Sequence, residues 1–293
     1  MVAIGGGHGL SASLRALRRY AGTITAVVSV ADDGGSTGRL RAARPDLPAP
    51  GDVRKCLGAL ADDREPFAAI LEHRFDGGEL DGHALGNLLL VALATELGSF
   101  DQAVHELAER VGAVGRVLPA TAVPVALEAV IADAPEAAGR RVVGQVAVHN
   151  ASGRRRLTLC PAAPPSDPAV VAAIEGADQV VLGPGSLFTS VLAAAIAPDV
   201  RGALARTTAQ RVLVANLAPQ VPETEGYGVA DELAALHDHG IEVDVVLVDA
   251  RRAVAADAAC EQVVAPLAEP GRAVHDPVLL AEALAALVAA RAG

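Results

Sequence analysis

Short apolar runs rich in β-branched residues alternate with longer Ala- and Leu-rich stretches over the first sixty residues. The runs Val2–Ile4 and Ile24–Val30 predict strands, whereas Leu10–Tyr20 and Asp52–Leu60 show the apolar spacing of helices. This alternation is typical of a parallel sheet with helices packed on its faces. We therefore predict an α/β fold with a mostly parallel sheet and helices on both faces.

The middle of the chain departs from this alternation. From about residue 65 to 112 the apolar spacing is helical throughout, which predicts a helical block. From about 117 to 160 short runs alternate with turn-forming residues, which predicts a small antiparallel β insertion. Its expected strands include Val125–Ile131, Val142–Val148 and Leu157–Leu159.

A second α/β half, about residues 166–293, follows the insertion and begins with the predicted strand Gln179–Leu182. Further strands are expected at Arg211–Ala215 and Val243–Val248, and helices at Val229–His239 and Val278–Ala290. The chain has 293 residues, of which 52% are hydrophobic, so it can bury a large core. We expect a single α/β domain over residues 1–293.

Composition narrows the classes of function. The formal charge of −11 argues against a nucleic-acid-binding protein, which normally carries a basic face. The three cysteines Cys56, Cys160 and Cys260 are far apart and follow no metal or redox spacing, so we expect reduced thiols. A strand begins at once after Met1, and the last apolar stretch is too short to span a bilayer. These features predict a cytoplasmic protein without a signal peptide or membrane insertion.

Two predicted strands near the N-terminus end in glycine-rich turns. Gly5–Gly9 follows the first strand and opens a helix, where backbone amides favour an anion and glycines allow close approach. A plain tight turn is an equal alternative there. Asp32 and Asp33 follow the second strand and can bind Mg²⁺, a ribose or a protonated leaving group, although one of them can simply cap the turn.

Glycines after Asp33 leave Ser36 and Thr37 free to present hydroxyls to phosphate oxygens, with Arg39 and Arg41 nearby to neutralise charge. Arg41 fits a surface helix equally well.

Further polar motifs follow predicted strands or open predicted helices. Asp52 lies where a helix N-cap belongs, so capping and ligand binding are equal alternatives. In the string GHALGN, Asn87 can contact a base or sugar, whereas a structural role is favoured for His83. Gly183–Ser186 repeats the pattern of strand, glycine turn and helix in the second half. Two such turns over one sheet match the two phosphates of a nucleoside diphosphate.

Taken in order, these strings resemble the family that unites the YvcK-type gluconeogenesis factors with 2-phospho-L-lactate transferase. The resemblance spans roughly residues 1–250, through GGGHGLSASLRALRRY, VADDGGSTGRLR, APGDVRKCLGALA, DGHALGNLLLVAL, LGPGSLFTS and ANLAPQVPETEGYG. The strings DDGGS and PGD are more similar to the gluconeogenesis-factor branch. His8 stands where the family commonly has threonine, and the alanine-rich stretch after Asp249 lacks the family's usual tyrosine and acidic residue.

The resemblance implies a Rossmann-like fold and a nucleotide site. The expected ligand-binding residues are Gly6, Gly7, His8, Gly9, Leu10, Asp32, Asp33, Gly34, Gly35, Ser36, Thr37, Arg39, Asp52, His83, Asn87, Gly183, Pro184, Gly185, Ser186, Thr189, Asn216 and Thr224. In the gluconeogenesis-factor branch the implied ligand is a UDP-sugar, chiefly UDP-N-acetylglucosamine, and the implied role links gluconeogenic carbon metabolism to envelope synthesis and cell shape.

Two classes of function remain open at this point. The first is a non-catalytic UDP-sugar-binding regulator with an unidentified protein partner in envelope synthesis, and a homodimer as a further hypothesis. The second is a phosphotransferase resembling 2-phospho-L-lactate transferase, in which Asp32, Asp33 or Asp52 holds Mg²⁺, the one candidate cofactor. An NAD-linked oxidoreductase is disfavoured because Gly5–Gly9 lacks the spacing GxGxxG.

Overall fold

The structure, a computed structural model, describes residues 1–62, 64–132, 139–253 and 260–292. The strands of this part are β1 (Val2–Gly5), β2 (Thr25–Val28), β3 (Arg116–Pro119), β4 (Ala126–Ala132), β5 (Arg140–Val143), β6 (Arg154–Cys160), β7 (Gln179–Leu182), β8 (Gln210–Val214), β9 (Val245–Val248) and β10 (Glu261–Val264).

Seven of these strands form one parallel sheet in the order β10-β9-β8-β7-β1-β2-β3. In its centre Val2 pairs with Thr25 on one side and with Val180 on the other. β1, β2, β7 and β9 are buried along their whole length, as expected when both faces of a parallel sheet are covered. The α/β prediction is therefore confirmed.

The direction in which the chain adds strands reverses between β1 and β7. From β1 the chain proceeds to β2 and β3 on one side, and from β7 it proceeds to β8, β9 and β10 on the other. Because parallel crossovers are right-handed, connections that run in opposite directions place their helices on opposite faces. Such a switch point leaves a crevice at the carboxyl ends of the two central strands.

The helices of the described part are α1 (Gly7–Leu17), α2 (Gly35–Ala43), α3 (Pro50–Leu60), α4 (Pro66–Ile70), α5 (Leu85–Leu97), α6 (Phe100–Arg110), α7 (Gln145–Asn150), α8 (Pro168–Glu175), α9 (Ala193–Ala195), α10 (Pro198–Arg206), α11 (Val229–Asp238) and α12 (Pro277–Ala292). A π-helix, Leu187–Leu192, runs directly into α9, and a 3₁₀ turn covers Ala250–Arg252. α1 packs against α3 and α12, and α8 packs against α10.

The predicted insertion is antiparallel, but its limits differ from the prediction. β4 pairs with β5 and β6 in a separate three-stranded sheet, whereas β3 is the edge strand of the parallel sheet. Nothing in so short a strand, Arg116–Pro119, shows which sheet it joins. The run predicted as the strand Val142–Val148 instead ends at Val143 and continues as α7, because Gly144 turns the chain at φ +102°.

The helical block is likewise interrupted between α4 and α5. The segment between them is closed by an isolated antiparallel bridge between Arg74 and Ala84, so the chain from 71 to 84 is a loop rather than a helix. In the described ranges no single helix is long and apolar enough to cross a membrane. One pair, Leu187–Ala195 and Pro198–Arg206, meets the length and composition requirement but is bent by 76°.

Candidate functional site

The two glycine loops meet at the switch point between β1 and β7. A Cβ atom on Gly9 would lie 2.3 Å from the Pro184 carbonyl oxygen and 2.6 Å from the Gly185 Cα, so only glycine allows this approach. The loops that end the two central strands therefore pack directly against each other. Together they form the floor of a cavity of about 640 Å³, within the range of about 300–1,000 Å³ typical of small-molecule sites.

Side chains from other elements hold the second loop in place. Asn216, just after β8, accepts a hydrogen bond from the Gly185 amide at 3.1 Å and donates one to the Gly185 carbonyl at 2.8 Å. The buried Ser13 hydroxyl donates to the Gly183 carbonyl at 2.6 Å. Asn216 thus lines the cavity and also fixes the loop, because its amide pairs with both backbone groups of one residue.

At the first loop, the carboxylate of Asp52 lies against the N-terminus of α1. It accepts a hydrogen bond from the Gly7 amide, and a Cβ atom on Gly6 would lie 2.3 Å from one of its oxygens. Burial raises the pKa of Asp52, an effect that the neighbouring Lys55 ammonium opposes. Lys55 Nζ lies 3.1 Å from the Asp52 carboxylate. Asp52 therefore caps α1 from a different helix and forms an ion pair within the cavity wall.

The two aspartates of the DDGG turn have different surroundings. Asp32 lines the cavity and accepts a hydrogen bond from the Gly34 amide at 3.0 Å. Asp33 points to the antiparallel insertion, where it accepts a hydrogen bond from the Val146 amide at 2.9 Å. Because that amide belongs to the first turn of α7, the carboxylate acts as a helix cap supplied by a distant part of the chain.

α7 lines part of the cavity and is tied to the π-helix that follows the second glycine loop. The Gln145 side-chain amide donates to the Thr189 carbonyl at 3.0 Å. The Thr189 amide and hydroxyl both donate to the fully buried Glu223, at 2.9 and 2.6 Å. His149, which lines the cavity, has its Nδ1 3.8 Å from the same Glu223 oxygen. The insertion thus supplies side chains to a site otherwise built from the parallel sheet.

Two further segments line the cavity: Leu217–Gln220, which follows β8, and Ala273–His275, which precedes α12. Thr224 lies behind this wall and accepts a hydrogen bond from the Gln220 amide at 2.8 Å. His275 Nε2 is 3.2 Å from the Ala215 carbonyl, so Nε2 carries the proton of the neutral ring. Burial lowers the pKa of His275 to about 4, and the imidazole is neutral at pH 7.

A buried polar network joins two of the sequence motifs outside the cavity. The Ser36 hydroxyl lies 3.1 Å from His83 Nδ1 and accepts a hydrogen bond from the Asn87 amide at 3.1 Å. These three side chains are buried and hold α2 against the start of α5. The network thus links α2, which begins within the DDGG motif, to the residues that open α5.

Metal ligands are sparse in this cavity. Across residues 1–62, 64–132, 139–253 and 260–292, no cluster of three or more His, Cys, Asp or Glu side chains is arranged to hold a metal ion. Mg²⁺ is commonly bound by one or two carboxylates together with substrate phosphates. Asp32 and Asp52 are the two aspartates that line the cavity, and they are the residues that would hold Mg²⁺ together with a phosphorylated ligand.

Comparison with known proteins places this chain in a family. Residues 1–274 match the model of the family described as 2-phospho-L-lactate transferase CofD. The chain belongs to the CofD family.

Within the CofD family, the chain is similar to proteins named as gluconeogenesis factors. A Mycobacterium tuberculosis protein named "Putative gluconeogenesis factor" is 43% identical over 305 aligned positions, which cover 97% of this chain and 89% of that protein. A Halalkalibacterium halodurans protein named "Gluconeogenesis factor" is 40% identical over 252 positions, 84% of this chain and 76% of that protein. The crystal structure of a UPF0052-family protein from Bacillus halodurans has a TM-score of 0.88 and 34% identity, covering 97% of each chain.

The residues predicted for the CofD-family ligand site fall into two groups. Those that line the cavity are Gly6, Gly7, His8, Gly9, Asp32, Asp52, Pro184, Gly185, Ser186, Thr189 and Asn216. Those placed behind or beside it are Leu10, Asp33, Gly34, Gly35, Ser36, Thr37, Arg39, His83, Asn87, Gly183 and Thr224. Leu10 is a core residue, and Tyr227, which does not line the cavity, packs edge-to-face on Phe188 with 6.1 Å between the ring centroids.

Sequence reasoning missed several cavity residues of this CofD-family chain. They are Ala12, Lys55, Gln145, Val146, His149, Ser190, Leu217–Gln220 and Ala273–His275. Lys55 is distinctive in the sequence, because it is the only lysine among the 24 Lys and Arg residues of the chain. The others lie on segments whose approach to the switch point depends on tertiary folding. The alanine-rich stretch after Asp249 is only partly described, and its residues 254–259 lie outside the described ranges.

Proposed function

We propose that this CofD-family protein binds a UDP-sugar, UDP-N-acetylglucosamine or UDP-glucose, in the switch-point cavity. Bound ligand would regulate cell-envelope synthesis and cell shape according to gluconeogenic carbon supply, through a protein partner. The observation that carries the proposal is the direct contact of the two glycine loops, Gly5–Gly9 and Gly183–Ser186, over the central strands. Resemblance to the gluconeogenesis-factor branch supports the choice of a UDP-sugar.

The first loop supports a diphosphate because of where its amides lie. The first turn of an α-helix has amides without intrahelical partners, and in α1 these belong to Gly7, His8 and Gly9. The Gly7 amide is already bound by Asp52, which leaves those of His8 and Gly9 toward the cavity. Burial and the nearby Lys55 lower the pKa of His8, so its neutral ring does not compete as a cation. A phosphate is the anion that such a helix end favours.

Binding without turnover is favoured by the position of one Ser–His pair. Ser36 and His83 are within hydrogen-bond distance, as a nucleophile and its base would be. Both are buried and neither lines the cavity. Ser36 also accepts a hydrogen bond from Asn87, which fixes the hydroxyl in a structural network.

A transferase is the second candidate, and the two cavity carboxylates favour it. Asp32 and Asp52 face the same space and would hold Mg²⁺ with a nucleoside-diphosphate conjugate. Because the two carboxylates and a bound diphosphate are all negatively charged, they would repel one another. A Mg²⁺ ion between the carboxylates and the diphosphate would remove this repulsion. In this case the protein would transfer a phosphorylated group, as the family name 2-phospho-L-lactate transferase implies.

Calorimetric titration separates the two candidates. The protein is titrated with UDP-N-acetylglucosamine, UDP-glucose and GDP, each with and without Mg²⁺, and the ligand is recovered for mass spectrometry. Saturable binding of an unchanged UDP-sugar is the expected result. Preference for GDP, or consumption of any ligand that requires Mg²⁺, would contradict the regulator and support the transferase.

A further inference from the structure

The cavity needs a permanent positive charge if it is to hold a diphosphate, and the arginines expected to supply it lie elsewhere. Arg39 donates to the Asp81 carbonyl at 2.6 Å on the protein surface. Arg41 donates to the Asp32 carbonyl at 3.1 Å and to the Val125 carbonyl at 2.8 Å, so it ties β2 to the insertion. Both guanidinium groups are engaged by backbone carbonyls and neither residue lines the cavity.

Lys55 is the one Lys or Arg residue among the described residues that line the cavity. The other basic side chains there are three histidines. Burial lowers the pKa of His8 and of His275, which keeps both rings neutral at pH 7. The third, His149, lines the cavity on α7 with its Nδ1 3.8 Å from the buried Glu223 carboxylate. Lys55 is therefore the full positive charge located next to the first glycine loop.

The position of the ammonium group suits a phosphate at the start of α1. A Cβ atom on Gly7 would lie 4.0 Å from Lys55 Nζ. Gly7 is the first residue of α1, so the ammonium group lies beside the first turn of that helix. A lysine ammonium and the positive end of a helix dipole repel each other unless an anion lies nearby. In this structure the Asp52 carboxylate is that anion, because it binds the Gly7 amide and Lys55 together.

We propose that Lys55 binds the diphosphate of the ligand, and that Asp52 holds the ammonium group in place until the ligand arrives. The inference rests on the proposed function, since it assigns a contact within that ligand site. Lysine suits this role because its ammonium is a compact charge with three donors, so it can contact Asp52 and a phosphate oxygen at the same time. The contact is to phosphate, so it serves UDP and GDP alike.

Variants that change one charge test the assignment. Lys55→Gln should weaken UDP binding by about tenfold to a hundredfold, the usual range for a hydrogen bond to a charged group. Lys55→Arg, which keeps the charge, should restore most of the affinity. Arg19→Gln, at an exposed position in the turn that follows α1, makes the same change in net charge and should leave affinity unchanged.

Loss of the ion pair could also destabilise the fold, so a double variant serves as a second control. Lys55→Gln leaves the buried Asp52 without its cation, whereas Asp52→Asn with Lys55→Gln leaves no unpaired charge. The double variant should recover the thermal stability of the parent without recovering its affinity. Recovery of UDP affinity in the double variant would overturn the contact with phosphate.

The absence of any other lysine allows a direct chemical test on the unaltered protein. An N-hydroxysuccinimide ester of acetic acid can acylate one ε-amine only, that of Lys55, and mass spectrometry distinguishes it from the α-amine of Met1. UDP at saturation should slow acetylation of Lys55, whereas uridine at the same concentration should not. Equal rates with and without bound UDP would overturn the inference.

The outcomes also separate this inference from the proposed function. If the parent binds GDP rather than UDP, the UDP-sugar function fails, and the same variants and labelling are measured with GDP. If the parent binds a nucleoside diphosphate and Lys55→Gln binds it equally well, the assignment of Lys55 alone is wrong. If the parent binds neither diphosphate, both proposals are wrong.

Discussion

Replacing Gly9 by alanine tests whether the two glycine loops must touch. The new Cβ would lie 2.3 Å from the Pro184 carbonyl oxygen and 2.7 Å from the Pro184 carbonyl carbon, both of them backbone atoms. To reach even 3.0 Å, one loop must move by about 0.7 Å. Since the second loop is held by Asn216 and Ser13, that movement strains both hydrogen-bonded anchors.

We expect Gly9→Ala to lower the free energy of unfolding by about 1–3 kcal/mol, the usual cost of overpacking a buried contact. Affinity for the nucleoside diphosphate should fall as well, because the loops that form the cavity floor are pushed apart. Urea denaturation followed by circular dichroism measures the first quantity, with an unchanged slope showing that the denatured state is the same. Calorimetric titration measures the second.

Gly22→Ala is the matched control. Gly22 has a negative or extended φ and no atom within 4 Å of a Cβ placed on it. Alanine there should be neutral or stabilise by up to about 1 kcal/mol, because it restricts the unfolded chain. If Gly9→Ala matched Gly22→Ala in stability and bound ligand like the parent, the loop contact would not be the basis of the site.

Three further changes probe the surroundings of the cavity. Burial raises the pKa of Glu232 to about 7 from 4.5, so the folded state holds its proton more tightly and stability should fall as pH rises from about 4.5 to 7. Glu232→Gln should flatten that fall in urea titrations across this range, and an unchanged slope would contradict the burial argument. Asp33→Ala removes the acceptor for the first turn of α7 and should cost about 0.5–2 kcal/mol. By contrast, Asp46→Ala at an exposed position should stay within about 0.5 kcal/mol. Arg155→Lys removes a buried guanidinium 4.9 Å from the Phe188 ring centroid and should cost about 1–3 kcal/mol in the same assay; equal stability would show that only its charge matters.

The parallel sheet was predictable because each of its central strands is a short apolar run followed by glycine. The strand Gln179–Leu182 was predicted to the residue, and the helix Val229–His239 differs by one residue at its end. Elements at the edge of the sheet and in the insertion were harder to predict. β10, Glu261–Val264, is only partly buried and begins with the two polar residues Glu261 and Gln262, so it was missed. α7 was mistaken for a strand because its apolar residues continue from β5 across Gly144.

The candidate site, like the fold, was predictable only in part from the sequence. Glycine loops and adjacent aspartates are visible in the sequence because these residues cannot build a core, and several of them do line the cavity. The sequence did not show, however, which of two adjacent residues faces the cavity. Asp32 and Asp33 are adjacent in the chain, yet one side chain faces the cavity and the other caps α7. Successive side chains in an extended segment point in different directions, and only the packed fold shows which direction is inward.

By itself the sequence determined the fold class, the family and the two glycine loops, since these depend on local apolar spacing and on residues close together in the chain. Tertiary structure alone decided which side chains share the cavity. Lys55 reaches the first loop through the packing of α1 on α3, and His275 reaches the site through its hydrogen bond to the Ala215 carbonyl. These positions result from contacts between distant segments, whose geometry is set by the whole core and has no local trace in the sequence.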